Sequence, residues 1–261
     1  MTEIAFDKPG TSARPASVGV HRTRTHLYYF NGEGPWPGVT GITKVLDAPA
    51  LTGWKLGQVA EAAVANAERL IADRETGRTE AAVKWLTTLS TEAMDRGSRI
   101  HAAIESILRR EPADIDPRDA AAVDGARAWL NATARERGLE ILEVEAYLIN
   151  DEIGYGGTCD LIARIDGEVW LLDWKTGKSV ANAAGEVWPD HRLQLAAYAR
   201  ASFVARPGDP ERYPVPAIER FGIVHVTDGG TRLYEADVTA GDWNAFRACV
   251  FLHTWRKGRA S

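Results

Sequence analysis

The sequence predicts an α/β protein in which helices pack on the faces of a sheet. Three observations carry that expectation. Gly157 to Lys175 reads as a β-hairpin turning at Asp166-Gly167, residues from Gly41 to about Glu136 repeat their apolar positions at helical spacing, and strands and helices alternate after Thr176.

Taken in order, residues 1–17 are aperiodic and contain Pro, Gly and Ser, which predicts a flexible tail. His26 to Phe30 followed by Asn31-Gly32 predicts a short strand and turn. Leu56, Val59, Ala60, Ala63 and Ala67 recur at three and four, as do Ile100, Ala103, Ile104, Ile107 and Leu108. Pro112 and Pro117 punctuate this helical stretch, and a helix resumes near Asp119. A β block is expected from about Leu139 to Thr176, then a helix over Leu193 to Val204. Strands near Phe221 to Val226 and Arg232 to Ala236 flank Asp228-Gly229-Gly230, and a helix starting near Gly241 closes the chain. The expected organisation is the tail, a mainly helical region over 18–136, and an α/β core over 137–261 that forms one compact unit with the helical region. No internal repeat is visible.

Composition narrows the function classes. A chain of 261 residues, 45% hydrophobic and 26% charged, has enough apolar material for a buried core. Two cysteines, Cys159 and Cys249, are too few for a disulfide framework or a four-cysteine centre, which points to a reducing cytoplasm. No apolar run approaches a membrane span, and Met1 to Lys8 lacks the pattern of a signal peptide. The net charge of −5 argues against a surface that coats nucleic acid broadly, but not against a basic cleft.

The hairpin carries the chemistry. With a two-residue turn Ile165 faces Glu168, and counting outward brings Asp160 opposite Asp173, their Cβ atoms roughly 5 Å apart. Strand alternation puts Lys175 on the Asp173 face and Trp174 on the other. Two carboxylates that close repel unless something cationic sits between them, and a divalent metal is the natural occupant. Hard oxygen ligands without a cysteine cluster favour Mg²⁺ or Mn²⁺ over zinc. A solvated hairpin tip with exposed acids is the alternative.

Asp160 followed by Asp173-Trp174-Lys175 resembles the core of the PD-(D/E)XK nuclease superfamily. Arg96-Gly97-Ser98-Arg99-Ile100-His101 is similar to the helical G-x-x-x-H motif of its RecB-like branch, and Gln194-Leu195-Ala196-Ala197-Tyr198 to that branch's Q-x-x-x-Y helix. The three occur in family order over residues 96 to 200. Pro37 to Leu46, with Leu51 and Trp54, resembles the N-terminal region of phage exonucleases. The resemblance implies a restriction-endonuclease-like mixed sheet flanked by helices, with a helical N-terminal region. CRISPR-associated RecB-like exonucleases carry an iron–sulfur cluster on four cysteines, which two cysteines cannot supply, so no such cluster is expected.

Metal ligands are then expected at Asp160, Asp173, His101 and the Trp174 carbonyl, with one or two ions. A lone histidine on an amphipathic helix is more often packed than liganding; Gly97 one turn before, Glu105 one turn after and the acidic hairpin tip the reading towards a ligand. Glu105 is expected to orient the imidazole. Glu145 supports a second metal or the DNA path in some relatives, and Glu143 shares its face, so the choice between them stays open. Lys175 would orient or deprotonate the attacking water, its pKa lowered by metal and raised by the aspartates. Gln194 and Tyr198 are implied to contact the scissile phosphate or the water. Basic groups for a cleft are sought among Arg22, Arg24, Lys44, Lys55, Arg96, Arg99, Lys178 and Arg192, of which Arg96, Arg99, Lys178 and Arg192 are carried forward as DNA-binding candidates. Trp36 and Trp54 could stack on unpaired bases.

The expected function is metal-dependent DNA exonuclease in phage or bacterial recombination or repair, acting on linear or single-stranded ends beside a recombination or annealing partner. An endonuclease on the same site and a noncatalytic DNA-binding or assembly subunit are the alternatives.

Overall fold

A computed structural model describes residues 18–46, 56–57, 59–61, 63–177 and 179–258, with side chains left out at 79 and 81–94. The expected tail over 1–17, together with Leu51, Trp54, Lys55 and Lys178, lies outside the described residues.

The sheet begins where the hairpin pattern places it. Strand β4 (Glu140–Asn150) runs antiparallel to β5 (Tyr155–Ile165), which turns into β6 (Glu168–Lys175) with Ile165 paired to Glu168. Asp166 and Gly167 both have positive φ, 54° and 86°, as a type I′ turn demands. Strand β9 (Arg220–Thr227) then lies parallel to β6 and pairs antiparallel with β10 (Gly230–Glu235). On the other side, β7 (Phe203–Arg206) pairs with β4 and with β8 (Asp209–Tyr213). The result is a seven-stranded mixed sheet in the order β10-β9-β6-β5-β4-β7-β8.

The expected α/β architecture, a mixed sheet flanked by helices, is therefore the one observed. On one face lie α3 (Thr79–Arg109) and α4 (Ala120–Arg137), whose Ile100, Ile104, Val123 and Ala126 pack with Leu161, Leu172 and Trp174. Full burial of Ile100 and Ile104 contributes about 1.5–3 kcal/mol each and fixes which side of α3 meets the sheet. On the opposite face lie α1 (Val39–Thr43), α5 (Pro189–Ala199) and α6 (Ala240–Gly258), packing Val39, Leu195, Tyr198 and Phe246 against Leu148, Ile162 and Leu171. A further helix, α2 (Ala67–Glu75), precedes α3.

Several elements depart from the expected ones. A small antiparallel sheet of β1 (Val20–Arg22), β2 (Leu27–Phe30) and β3 (Glu33–Pro37) occupies the start of the region read as helical, and only β2 was anticipated. It joins the core through Val20, Tyr28, Phe30 and Trp36, packed with Ile149 and Phe203. Trp36 is 6% exposed within this cluster, which removes it as a platform for bases. The helix expected to reach Val204 stops at Ala199, and Phe203-Val204 enter β7. β8 is a polar edge strand containing Pro210, which weakens any strand signal.

Candidate active site

The site forms where β5 and β6 run out of their shared ladder. The last recorded pair is Leu161 with Leu172, so Asp160 and Asp173 are the next residues outward. Both are buried, at 8% and 2% exposure. Asp160 Oδ2 accepts the Trp174 backbone N–H at 2.7 Å, which orients its carboxylate. Lys175 reaches back along the strand to donate to Asp173 Oδ2, as strand alternation allows.

α5 supplies the support. Gln194 Nε2 donates to Asp173 Oδ1 at 2.8 Å and to Tyr198 Oη at 2.9 Å, while its Oε1 accepts from Lys175 Nζ at 3.2 Å. One amide thus grips the acid and the amine together. Tyr198 sits 3% exposed with its ring over Gly157, where an added Cβ would come within 2.4 Å of the ring; β5 must carry glycine there. Burial holds the Tyr198 phenol well above its ordinary range, so it remains an un-ionised anchor. Gln194 holds Asp173 and Lys175 directly, and Tyr198 steadies the Gln194 amide.

His101 comes from α3, its Nδ1 3.6 Å from Asp160 Oδ2, too long for a hydrogen bond. Burial opposes its charge, but Asp160 and Asp173 outweigh that and raise its pKa. Gly97, one turn earlier, faces Thr176 just past Lys175. Glu105 does not hold the imidazole; its Oε1 accepts from Arg109 Nε at 2.9 Å, and Arg109 in turn donates to the Val144 carbonyl on β4.

Glu145 and Glu143 separate. The pairs on either side, Val144 with Leu161 and Ala146 with Cys159, place Glu145 opposite Asp160. Its φ of 52° is a left-handed conformation that costs a non-glycine residue about 1–3 kcal/mol and breaks the alternation that would put both glutamates on one face. Glu143 instead accepts from Arg206 at 2.8 Å. Burial, reinforced by Asp160 and Glu105, pushes Glu145 up to about 8. Burial also pushes Asp173 up to about 6, with Asp160 adding to it and Lys175 opposing. For Lys175 burial favours the neutral amine, but Asp173 and Asp160 win and the ammonium is stabilised.

Three of the DNA-binding candidates are ion-paired within the chain. Arg96 bonds Asp119 at 3.0 Å and Asp228 at 2.5 Å, Arg99 bonds Asp119 at 2.7 Å, and Arg192 bonds Asp242 at 3.1 Å and the Val187 carbonyl at 2.9 Å. These arginines tie elements together. Three nearby residues were passed over. Thr158 lies two before Asp160 on β5, and Tyr28 Oη is 3.1 Å from its Oγ1; strand alternation was the available signal for Thr158. His191, at i−3 from Gln194, is pushed down to about 4 by burial and the Lys175 charge; its helical spacing was the signal.

Carboxylates from β4, β5 and β6 with one imidazole from α3 make an oxygen-rich donor set of the kind that suits a hard divalent ion. Among the described residues no three His, Cys, Asp or Glu side chains are drawn close enough together to hold a metal ion as they stand. The excess of carboxylate over cation, written in the raised pKa values of Glu145 and Asp173, is the observation that fits a bound cation.

A mixed sheet presenting acid, acid and lysine at one hairpin end, with helices on both faces, defines the α/β nuclease class. The profile of the PD-(D/E)XK nuclease superfamily matches residues 74–217, more than half the chain, and the protein belongs to that superfamily. Its members generally use divalent metals such as Mg²⁺. No curated protein matches. Among solved structures, one described as the crystal structure of SSO0001 is similar at 12% identity over 60% of this chain and 73% of that one, with a TM-score of 0.30. No described helix is long and apolar enough to cross a membrane.

Proposed function

We propose that this protein is a Mg²⁺- or Mn²⁺-dependent deoxyribonuclease, an exonuclease of the RecB-like type that processes DNA ends in recombination or repair. The observation that supports it most is the Asp160, Asp173, Lys175 cluster gripped by Gln194. Asp160, Asp173 and His101, with Glu145 towards a second ion and the Trp174 carbonyl, would hold the metal. Bound there, a divalent ion neutralises phosphate charge and lowers the pKa of water.

The chain's own groups do the rest. The Trp174 N–H and the Gln194 amide fix the two aspartates before substrate arrives, so little reorganisation is needed. Lys175, kept charged by Asp173 and Asp160, donates to a phosphate oxygen or to the attacking water. His101 must shed the proton its aspartate neighbours favour before its nitrogen can ligate.

End-labelled linear DNA and covalently closed circles, each with Mn²⁺ or with EDTA, test the reading. Mn²⁺-dependent shortening of the linear substrate alone supports an exonuclease. Nicking of the circles makes it an endonuclease, and binding without cleavage makes it a noncatalytic subunit.

A further inference from the structure

We infer that Arg22 is a phosphate-binding residue that holds the DNA backbone on the β1–β3 side of the acid cluster. The inference rests on the DNA-cleaving reading above and adds to it where the strand lies.

The geometry is specific. Arg22 pairs across β1 and β2 with Tyr28, and the Tyr28 ring is seated on Gly156, where an added Cβ would come within 2.6 Å of it. That seat docks the small sheet onto β5. Tyr28 Oη then meets Thr158 Oγ1 at 3.1 Å, and the Arg22 guanidinium reaches the same oxygen at 3.5 Å. Thr158 pairs with Tyr147 on β4 and shares the Asp160 face of β5, about 7 Å along the strand. A guanidinium and two hydroxyls therefore stand one short step along β5 from the carboxylates.

The chemistry is that of a phosphodiester. A guanidinium has five N–H donors arranged to grip a phosphate. Arg22 spends some on Thr158 and Tyr28; partial burial opposes its charge, but Tyr28 and the charge of Glu145 raise its pKa, and the remaining donors can turn to a phosphate. Among the described residues no carboxylate lies within 4.0 Å of Arg22, whereas Arg96, Arg99 and Arg192 are all ion-paired. Arg22 is exposed, as is Lys44; burial, and after it the charges of both, lowers the pKa of His26. The small sheet and α1 thus present positive charge beside a negative floor. A strand passing between them finds its scissile phosphate at the carboxylates and a neighbouring phosphate at Arg22. Hydroxyls and arginine position a backbone without reading its sequence.

Fluorescence anisotropy of a labelled oligonucleotide, titrated with wild type, Arg22→Gln and Arg22→Lys in EDTA over a range of salt, tests this. Arg22→Gln should weaken binding about tenfold for every sequence and lower the salt slope by about 0.7–0.9, one phosphate contact. A methylphosphonate walked along the oligonucleotide should reveal one phosphate whose neutralisation weakens wild type but not Arg22→Gln. Unchanged affinity and slope in a folded Arg22→Gln, with melting temperature as control, overturns the inference. Should Arg22→Gln fail to fold, Arg22→Lys run through the same walk must still be sensitive at one position, and insensitivity overturns it. The two readings part cleanly: DNA cleavage with an Arg22-independent slope removes only the inference, and Arg22-dependent binding without Mn²⁺-dependent cleavage removes only the nuclease activity.

Discussion

Two charge clusters lie along the same stretch of α3, and they are balanced in opposite senses. At Asp119, 1% exposed, the arginines at 96 and 99 converge on one carboxylate, and although burial works against its charge their hydrogen bonds lower its pKa. Five residues beyond Arg96, His101 meets a group in which Glu145, Asp160 and Asp173 face the Lys175 ammonium, and although Arg22 also acts on Glu145, burial and the crowded acids push Glu145 and Asp173 up. The first cluster is complete within the chain and works as a clamp between α3 and the start of α4. The second is short of positive charge, and the proposed divalent ion would make up that deficit. A buried carboxylate alone is therefore no guide to function; its balance of partners is.

The comparison is broken most severely by removing charge from the deficient cluster. Asp160→Asn or Asp173→Asn should each eliminate detectable Mn²⁺-dependent cleavage in a gel assay while the protein stays folded by circular dichroism. Next in size, Lys175→Ala should slow single-turnover cleavage on the order of a hundredfold or more with metal and DNA saturating, and Lys175→Arg should restore only part of it. In the balanced cluster the loss should be of stability instead. Asp119→Asn removes the carboxylate that both guanidiniums share, leaving Arg96 with Asp228 and Arg99 with Asp116, and should cost up to about 3 kcal/mol, less to the extent that both arginines are partly solvated and keep those second partners. At roughly 2–4 °C per kcal/mol this is a clear fall in Tm by calorimetry, with cleavage per folded molecule within tenfold of wild type. His101→Ala should weaken Mn²⁺ binding in a calorimetric titration with little change in Tm; the reverse pattern would make His101 a packing residue.

The smallest effect carries a sign. Glu145 has its folded pKa raised from 4.5 to about 8, so relative to the unfolded chain its contribution favours folding fully below about pH 4.5 and is lost as pH rises through about 8. Glu145→Gln should therefore raise the metal-free Tm near pH 8.5 and leave it almost unchanged near pH 4. Saturating Mn²⁺ should shrink or reverse the gain at high pH. A Tm difference that ignores pH would detach Glu145 from the cluster.

The hairpin was legible because its signals are local: Asp166-Gly167 dictates the turn, the turn dictates the register, and alternation assigns Asp173 and Lys175 to one face. The Q-x-x-x-Y spacing was equally plain, but what the amide grips depends on where α5 crosses the sheet. Glu145 could not be told from Glu143 because a register shift near Leu142 and a left-handed residue intervene, and neither leaves a mark in composition. The ion pairs of Arg96 and Arg99 were not legible because Asp119 is 20 or more residues away in sequence and Asp228 is 132 from Arg96. The small sheet was half hidden since β1 and β3 are short and β3 carries two prolines.

The parallel pairing of β6 with β9 has a kinetic meaning. The β5–β6 hairpin closes through a two-residue turn and can form in microseconds, bringing Asp160 and Asp173 together early. The parallel partner arrives only after the chain travels from Trp170 to Arg220, a crossover that contains α5. Until that crossover docks, Gln194 is missing from the acids it steadies, so the earliest-formed part of the site is also its most self-repelling part. Divalent cation present during refolding should therefore act on the rate as well as on the final stability.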